Sequence, residues 1–383
     1  MDFSYTEEQR QLSDSLRRFV ESRYTVEHRR KIAREHDSFC RDAWRSYAEF
    51  GVLGLTIPEA YGGFDGKATD TFVVQYEAGR ALLLEPIIAS SVVSADLFAQ
   101  YGGDAMKEAW LPALADGSKI VTPAWQERNA RYGFDAPQTR ASAVEGGYRL
   151  DGCKLHVWHG GVADAFIVPA WNAAVEAVTL FVVRASAAGV TVRTYPTVDG
   201  QSAAEVTFES VFVVPGDVLG DPRAGVEMLQ AGLDRGIAAL CAASVGAMDK
   251  LIEATAEYLR TRKQFGQPLA AFQALRHRLA EMLVQKELAL SMAHLAAAAM
   301  ESAPSERRKM ISAAKVIVAK AGRFVGQHAI QLHGGIGVTA ELVVGDYFKF
   351  LMAAGQLFGD ADHHMDAFAR LPFEESAEAA SVA

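Results

Sequence analysis

The interpretation of this chain begins with residues 331–341, QLHGGIGVTAE, and residues 356–365, QLFGDADHHM. The first segment follows a helical pattern, and its glycines allow a backbone to approach a phosphate closely or to turn with positive φ. Gly335, Gly337 and Ala340 satisfy a GxGxxA pattern, but the neighbouring segments are helical and no strand precedes them. A Rossmann fold needs that strand and a βαβ unit, so it is rejected. A helix C-cap explains Gly334 or Gly335 but not three glycines.

A second segment of interest, YLRTRKQFGQPLAAFQALRHRLAEM, occupies residues 258–282. Arg262, Gln264 and Phe265 come just after a long predicted helix, and Gln273 opens the next one. A guanidinium there can pair bidentately with a diphosphate, and Phe265 can cover an adenine or flavin edge. On spacing alone, an ordinary helix–helix loop with a surface arginine explains the segment better.

Hydrophobic periodicity predicts an α+β chain whose β part lies in the middle. Thr6 and Gln9 form a capping-box pattern ahead of an amphipathic helix. The central region contains β-like runs bounded by Gly and Asp-Gly turn signals. We therefore predict an N-terminal helical domain at residues 1–115, a central β domain at 116–225, a C-terminal helical bundle at 226–371 and a flexible tail at 372–383.

Together, these segments resemble the acyl-CoA dehydrogenase family. FGVLGLTIPEAYGG at residues 50–63 and VFVVPGDVLGDPRAG at residues 211–225 are also similar to family segments, so the resemblance spans nearly the whole chain. It implies a helical N-terminal domain, a small central β-barrel or sandwich and a C-terminal four-helix bundle, in the order that periodicity predicts. It also implies FAD as cofactor.

The resemblance implies that FAD is shared between subunits, and therefore a tetramer. Family residues at the matching positions contact FAD held by a neighbouring subunit; here they are Arg262, Gln264, Phe265, Gln273, Gln331, Gly334 and Gly335. The central flavin-contacting segments match poorly, because WQERNARYGF and HVWHGG replace the family's usual sequences and His156 stands where a flavin-packing Trp is usual.

The catalytic position departs from the family. Removing a proton α to a thioester needs a desolvated carboxylate, but Gly359 follows Phe358 where the family most often carries its catalytic glutamate. Asp360 is one candidate base, with helix N-capping as its alternative. Asp234, which falls where some members carry their glutamate, is another, with an ion pair to Arg235 as its alternative.

Three hypotheses follow. The favoured one is a subunit like the small subunits of two-gene acyl-CoA dehydrogenases such as pimeloyl-CoA dehydrogenase, acting on acyl-CoA with a Glu-bearing homologous subunit in a heterotetramer and passing electrons to an electron-transfer flavoprotein. The second is a complete homotetrameric enzyme that uses Asp360 or Asp234 as base. The third is a FAD-free scaffold subunit without chemistry.

Composition and residue spacing argue against several other classes of protein and site. The net charge of −9 argues against nonspecific nucleic-acid binding, and the longest apolar stretch is interrupted by charges and a proline, which argues against a membrane protein. Three scattered cysteines predict a reducing cytoplasm. His156 and His159 fall on opposite faces of a predicted strand, and the cluster of Asp360, Asp362, His363 and His364 has no second ligand pair at recognisable spacing, so we predict no metal.

Overall fold

The N-terminal part of the computed structural model, which describes residues 5–35 and 37–371, is helical. The first helix begins where the sequence predicts, because Thr6 and Gln9 form the reciprocal capping box. A π-helical segment, Ile87–Ser94, interrupts the α-helices. The helices are α1 (Glu7–Arg23), α2 (Val26–Ile32), α3 (Arg41–Glu49), α4 (Ala68–Ala81), α5 (Ala95–Tyr101) and α6 (Asp104–Ala115).

The central part forms an eight-stranded sheet. Its strands are β1 (Val121–Pro123), β2 (Arg140–Val144), β3 (Gly147–Trp158), β4 (Ala165–Asn172), β5 (Ala177–Arg184), β6 (Val190–Pro196), β7 (Ser202–Val213) and β8 (Val218–Leu219). The strand order is β6-β7-β3-β2-β4-β5-β8, and β1 pairs with β4. Phe166, Phe181 and Phe208 are buried in the core of this sheet. This sheet is the central β part of the fold that the sequence predicts.

The C-terminal part is a helical bundle. Its helices are α7 (Gly225–Thr261), α8 (Gln273–Ala298), α9 (Pro304–His333), α10 (Val344–Ala354) and α11 (Ala361–Arg370). A short hairpin of β9 (Lys263–Gln264) and β10 (Gln267–Pro268) joins α7 to α8. The predicted tail at 372–383 lies outside the described residues.

The two helical parts share one core because glycines let α4 and α7 touch at the backbone. A Cβ atom on Gly79 would lie 1.8 Å from the carbonyl oxygen of Ala243, and one on Gly246 would lie 1.9 Å from that of Tyr76. Larger residues at these two positions would force the helices apart. The architecture confirms the predicted α+β class, and no helix among the described residues is long and apolar enough to cross a membrane.

Candidate active site

A cavity of about 410 Å³ lies between the sheet and the end of α10. A β-bulge helps to form it: the register of β3 shifts between Lys154 and Val157, and His156 there has φ +49°. The walls are largely aromatic and amide side chains, among them Gln126, Tyr132, His156, Trp158, Tyr195 and Gln356. Planar and aromatic walls of this kind suit a flat aromatic ligand.

A buried ion pair anchors the loop that forms one wall. The Nζ atom of Lys154 lies 2.6 Å from Oε1 of Glu127, which also accepts hydrogen bonds from the backbone and hydroxyl of Thr139. Burial acts to raise the pKa of Glu127, but Lys154 and these hydrogen bonds outweigh it and hold the pKa below its usual range. Burial lowers the pKa of Lys154 to about 8. Through its hydrogen bonds to Gln138 and Thr139, Glu127 joins the start of the loop that carries Tyr132 to its end, and Lys154 ties both to β3.

Two histidine rings close the position where the family most often carries its glutamate. Gly359 has φ +114°, and a Cβ atom there would lie 2.6 Å from Cδ2 of His363 and 2.7 Å from Nε2 of His364. His364 is held by Ser312 Oγ, 3.3 Å from Nδ1, and by the carbonyl oxygen of Phe358, 3.1 Å from Nε2. Burial lowers the pKa of His364 to about 3, so the ring stays neutral.

The ring of Phe358 fills the space between α7 and the π-helical segment. A Cβ atom on Gly236 of α7 would lie 2.7 Å from Cγ2 of Val93 and 3.3 Å from Cζ of Phe358. The ring also meets Trp158 edge-on, with centroids 6.0 Å apart. The cavity that Phe358 lines together with His156 and Trp158 measures only about 20 Å³, enough for a water molecule but not for an acyl chain.

Asp360 follows Phe358 and Gly359 in the chain, and its side chain caps a helix. Its Oδ1 accepts a hydrogen bond from the backbone N–H of His363, 2.9 Å away, at the start of α11. Its Oδ2 lies 2.9 Å from Nη2 of Arg131. Partial burial acts to raise the pKa of Asp360, but the His363 N–H and Arg131 outweigh it and keep the pKa low. A carboxylate stabilised in this way is a weak base.

Asp234 and Arg235 point to different partners. Asp234 is buried in α7, where Nε2 of Gln230 donates to Oδ1 over 2.7 Å and Nε of Arg307 lies 3.1 Å from Oδ2. Burial raises the pKa of Asp234. Arg235 instead pairs with Asp96, at 2.7 Å. The ion pair proposed between these two residues is therefore wrong, because consecutive helical residues do not face each other. Neither residue lines the cavity of about 410 Å³.

The residues expected to contact FAD lie at one end of the bundle. Tyr258 near the end of α7 stacks on His333 at the end of α9, with centroids 4.4 Å apart, which brings the two segments together. Phe265, with φ +54°, is 88% exposed at the hairpin tip. Also exposed are Arg262, Gln264, Gln273, Gln331, Gly334 and Gly335, and none of the set lines the cavity of about 410 Å³.

The backbone of this surface is exposed at two neighbouring glycines. Cβ atoms on Gly334 and Gly335 would meet nothing within 4 Å, so the backbone there is open to a ligand. Gly334, with φ +66°, also ends α9. The C-terminal end of α9 carries partial negative charge, so Arg262 is the group here that can offset a diphosphate.

Several parts of the site give no signal in the sequence. Glu127 and Lys154 are 27 positions apart, and nothing local pairs them. The position of the Phe358 ring depends on a backbone φ of +59°, and a phenylalanine in the sequence does not indicate a positive φ. Among the described residues, no group of three or more His, Cys, Asp or Glu could hold a metal ion.

Both helical parts of the chain are similar to domains of one known protein family. Residues 6–118 match the model of the acyl-CoA dehydrogenase N-terminal domain, and residues 223–371 match that of the acyl-CoA dehydrogenase C-terminal domain. Acyl-CoA dehydrogenase FadE27 of Mycobacterium tuberculosis is 29% identical over 356 residues, which cover 91% of this chain and 92% of that protein.

Two solved structures are similar over almost their whole length. The ChsE4-ChsE5 complex from Mycobacterium tuberculosis contains a chain with TM-score 0.88 and 27% identity, covering 97% of this chain and 98% of that one. A glycine-to-alanine variant of the Tcur3481-Tcur3483 steroid ACAD gives TM-score 0.86 and 28% identity, covering 98% of this chain and 99% of that one.

Proposed function

This chain belongs to the acyl-CoA dehydrogenase family, and we propose that it serves there as the non-catalytic subunit of a two-gene enzyme. Family membership makes it an FAD-dependent flavoprotein oxidoreductase that takes part in acyl-CoA dehydrogenation. When bound, FAD supplies the acceptor for the hydride that leaves the β-carbon of the thioester. In this arrangement a homologous subunit supplies the catalytic base, and this chain helps to hold FAD.

The observation that carries the proposal is the closed catalytic position. Gly359 offers no carboxylate, and the rings of His363 and His364 occupy the space that a side chain there would need. Phe358 fills the adjacent gap beside α7, and the cavity that it lines there measures about 20 Å³. Asp360 and Asp234 are both engaged by arginines. The α-proton is therefore removed by a glutamate of a homologous subunit.

This chain contributes to FAD binding through the end of the bundle where α7 and α9 end. Arg262 offsets the diphosphate charge of FAD held mainly by the partner, Phe265 covers an aromatic edge, and the Gly334–Gly335 backbone lets the cofactor approach. Gln264, Gln273 and Gln331 offer amide hydrogen bonds on the same surface. The similarity to the ChsE4-ChsE5 complex supports an assembly of two different chains.

The assembled enzyme is a heterotetramer that passes electrons to an electron-transfer flavoprotein. Similarity to the Tcur3481-Tcur3483 steroid ACAD supports a bulky acyl group on its CoA substrate. The partner provides the acyl pocket, because the corresponding space in this chain is filled by Phe358.

Co-expression with a Glu-bearing homologue tests the subunit role. We expect the purified complex to hold half as many FAD molecules as chains and to bleach with acyl-CoA, whereas this chain alone is colourless. Arg262→Ala should lower the FAD content of the complex, while Arg260→Ala, which changes an exposed arginine two residues earlier that pairs with Glu257, should leave it unchanged. One FAD per chain in the isolated protein would contradict the proposal.

Two conservative variants test the remaining carboxylates. Asp360→Asn and Asp234→Asn remove a charge with little change in shape, so the complex should keep its rate of flavin reduction by acyl-CoA. Loss of this rate in either variant, with FAD still bound, would instead support the complete enzyme that uses Asp360 or Asp234 as base.

A further inference from the structure

A second large cleft, of about 550 Å³, lies where the three parts of the chain meet. We call it the basic cleft; its walls are α2, the turn between β6 and β7, and residues 337–349 at the start of α10. The turn separates it from the cavity of about 410 Å³, because Thr197, Val198 and Asp199 line both. We propose that the basic cleft binds the phosphoryl groups of a nucleotide-sized ligand.

Arg29 is the central observation. It is 4% exposed and lines the cleft. Its Nε donates to the carbonyl oxygen of Leu82 and its Nη2 to that of Asp199, each over 2.7 Å. No carboxylate of the described residues lies within salt-bridge distance of it, so its positive charge is not neutralised. A buried guanidinium without a counter-ion is costly, and an anionic ligand would offset that cost.

Three further cations line the same cleft. Arg30 is oriented by the carbonyl oxygen of Leu342 and by Asp346, 2.8 Å away. Arg34 and Lys349 are exposed, and neither has an ion pair with a described residue. Four cations therefore face two carboxylates, those of Asp199 and Asp346. In a chain with a net charge of −9, this local excess of positive charge is unusual.

The start of α10 adds hydrogen-bond donors. Its N-cap is Val343, which provides no side-chain cap; the N–H of Asp346 donates to the carbonyl oxygen of Val343, whereas the N–H groups of Val344 and Gly345 have no partner among the described residues. The nearest atoms to a Cβ atom on Gly345 would be carbonyl oxygens at 3.9 and 4.0 Å, so this turn is open to the cleft. An uncapped helix start next to a buried arginine favours an anion on two independent grounds.

The size and walls of the cleft indicate the class of ligand. A single phosphate would fill only a small part of about 550 Å³. Ile330, Val338, Leu342 and Phe348 supply apolar surface beside the cations. A phosphate ester or diphosphate with an aromatic body, such as an adenine nucleotide, matches both parts. The inference does not depend on the proposed subunit role, because none of the cations belongs to the FAD-contacting set.

Calorimetric titration of the purified protein, with its partner if it requires one, tests the proposal. The probes are ADP, inorganic pyrophosphate and adenosine, each titrated at low ionic strength. ADP should bind more tightly than pyrophosphate, adenosine should bind weakly or not at all, and added salt should weaken ADP binding. In the flavin-loaded protein, ADP should bind without releasing FAD.

A charge-matched pair of variants locates the site. Arg34→Gln with Lys349→Gln removes two exposed cations of the cleft and should weaken ADP binding by about tenfold or more. Arg18→Gln with Arg45→Gln removes two exposed cations elsewhere and should leave ADP binding unchanged. Equal affinity in the two double variants, or release of FAD by ADP, would overturn the site. Pyrophosphate binding as tightly as ADP would overturn the nucleotide class.

Discussion

At the scale of single residues, Gly359 and His364 depend on each other. Both ring nitrogens of His364 are engaged, and a neutral imidazole has one donor and one acceptor. Nε2 therefore donates to the carbonyl of Phe358, and Nδ1 accepts from the hydroxyl of Ser312. This arrangement requires that position 359 has no side chain, because Nε2 would lie 2.7 Å from its Cβ.

We therefore predict that Gly359→Ala is clearly destabilising. The positive φ of +114° alone costs about 1 kcal/mol for a residue with Cβ, and the collision with the two histidines adds about 1–3 kcal/mol. Urea unfolding of the variant measures the sum. Gly62→Ala is the control, since Gly62 has φ +83° and nothing within 4 Å of its Cβ position, so it reports the backbone cost alone.

If Gly359→Ala is no less stable than Gly62→Ala, the histidines do not block the site. Activity offers a second check. Gly359→Glu should not restore acyl-CoA dehydrogenation to a complex whose Glu-bearing subunit carries Gln in place of its catalytic glutamate, because Phe358 still fills the adjacent gap. Bleaching of flavin by acyl-CoA in that variant would contradict the steric argument.

For single residues, the sequence shows which functional groups are present but not which side chains they contact. The missing carboxylate at Gly359 can be read directly, and so can the helix-capping alternative for Asp360, which the structure places at the start of α11. The separate partners of Asp234 and Arg235 could not be predicted from the sequence, because Arg307 and Asp96 come from distant helices. Long-range pairing of this kind leaves no local pattern.

At the scale of elements, the junction between α4 and the π-helical segment contains a buried carboxyl group. Glu85 is 6% exposed. The hydroxyl of Tyr24 lies 3.4 Å from its Oε1, whereas its Oε2 and the Nε2 of nearby Gln75 have no partner among the described residues. Burial raises the pKa of Glu85 to about 7.

This group should make stability fall as pH rises from about 4.5 to 7. Below that window Glu85 is protonated in both states, but within it the unfolded chain loses the proton first and becomes favoured. A shift from 4.5 to about 7 corresponds to about 3 kcal/mol at neutral pH and above. Glu85→Gln removes this loss, so urea unfolding at pH 5 and pH 8 should give a smaller difference in the variant than in the wild type.

Glu77→Gln is the matched control on α4. Glu77 is also buried, but Arg17 lies 2.6 Å from it and the hydroxyl of Ser13 donates to it over 2.8 Å. Its substitution should destabilise the protein at pH 8 because it leaves these partners without their carboxylate. Stabilisation at pH 8 by both substitutions, or by neither, would rule out a specific ionisation at Glu85.

Among the elements, helices were easier to predict than strand order. The apolar spacing and the Thr6 capping box locate α1, and Gly147 and Asp199-Gly200 mark where β3 and β7 begin. The turn predicted at Asp151-Gly152 is wrong, because β3 continues through these residues with a shift of register. Nothing local indicates that β2 pairs in parallel with β4 or that β1 joins the same sheet. These pairings connect distant segments, whereas periodicity reports only which face of a strand is buried.

At the scale of the whole molecule, the free chain exposes apolar surface that has no function within it. Phe265 is 88% exposed at the tip of the hairpin between α7 and α8, although its neighbours in the segment are polar. Its ring contacts Phe272 edge-on, at 6.1 Å between centroids. An aromatic ring held this far into solvent is expected where another molecule covers it.

The last prediction concerns this ring. Phe265→Ser should change the unfolding free energy of the isolated chain by no more than about 0.5 kcal/mol, because little apolar area is buried there. In the complex with the Glu-bearing subunit, the same change should weaken FAD retention by about tenfold, since an aromatic contact on a ligand contributes on the order of 1 kcal/mol or more. Phe212→Ser is the control, because Phe212 is 49% exposed on β7, away from the bundle end, and should leave FAD retention intact. Equal retention in both variants would remove Phe265 from the cofactor surface, and equal loss would point to general damage to assembly. Flavin fluorescence released on dilution measures the difference directly, and it separates a surface that completes another subunit's site from one that only happens to be exposed.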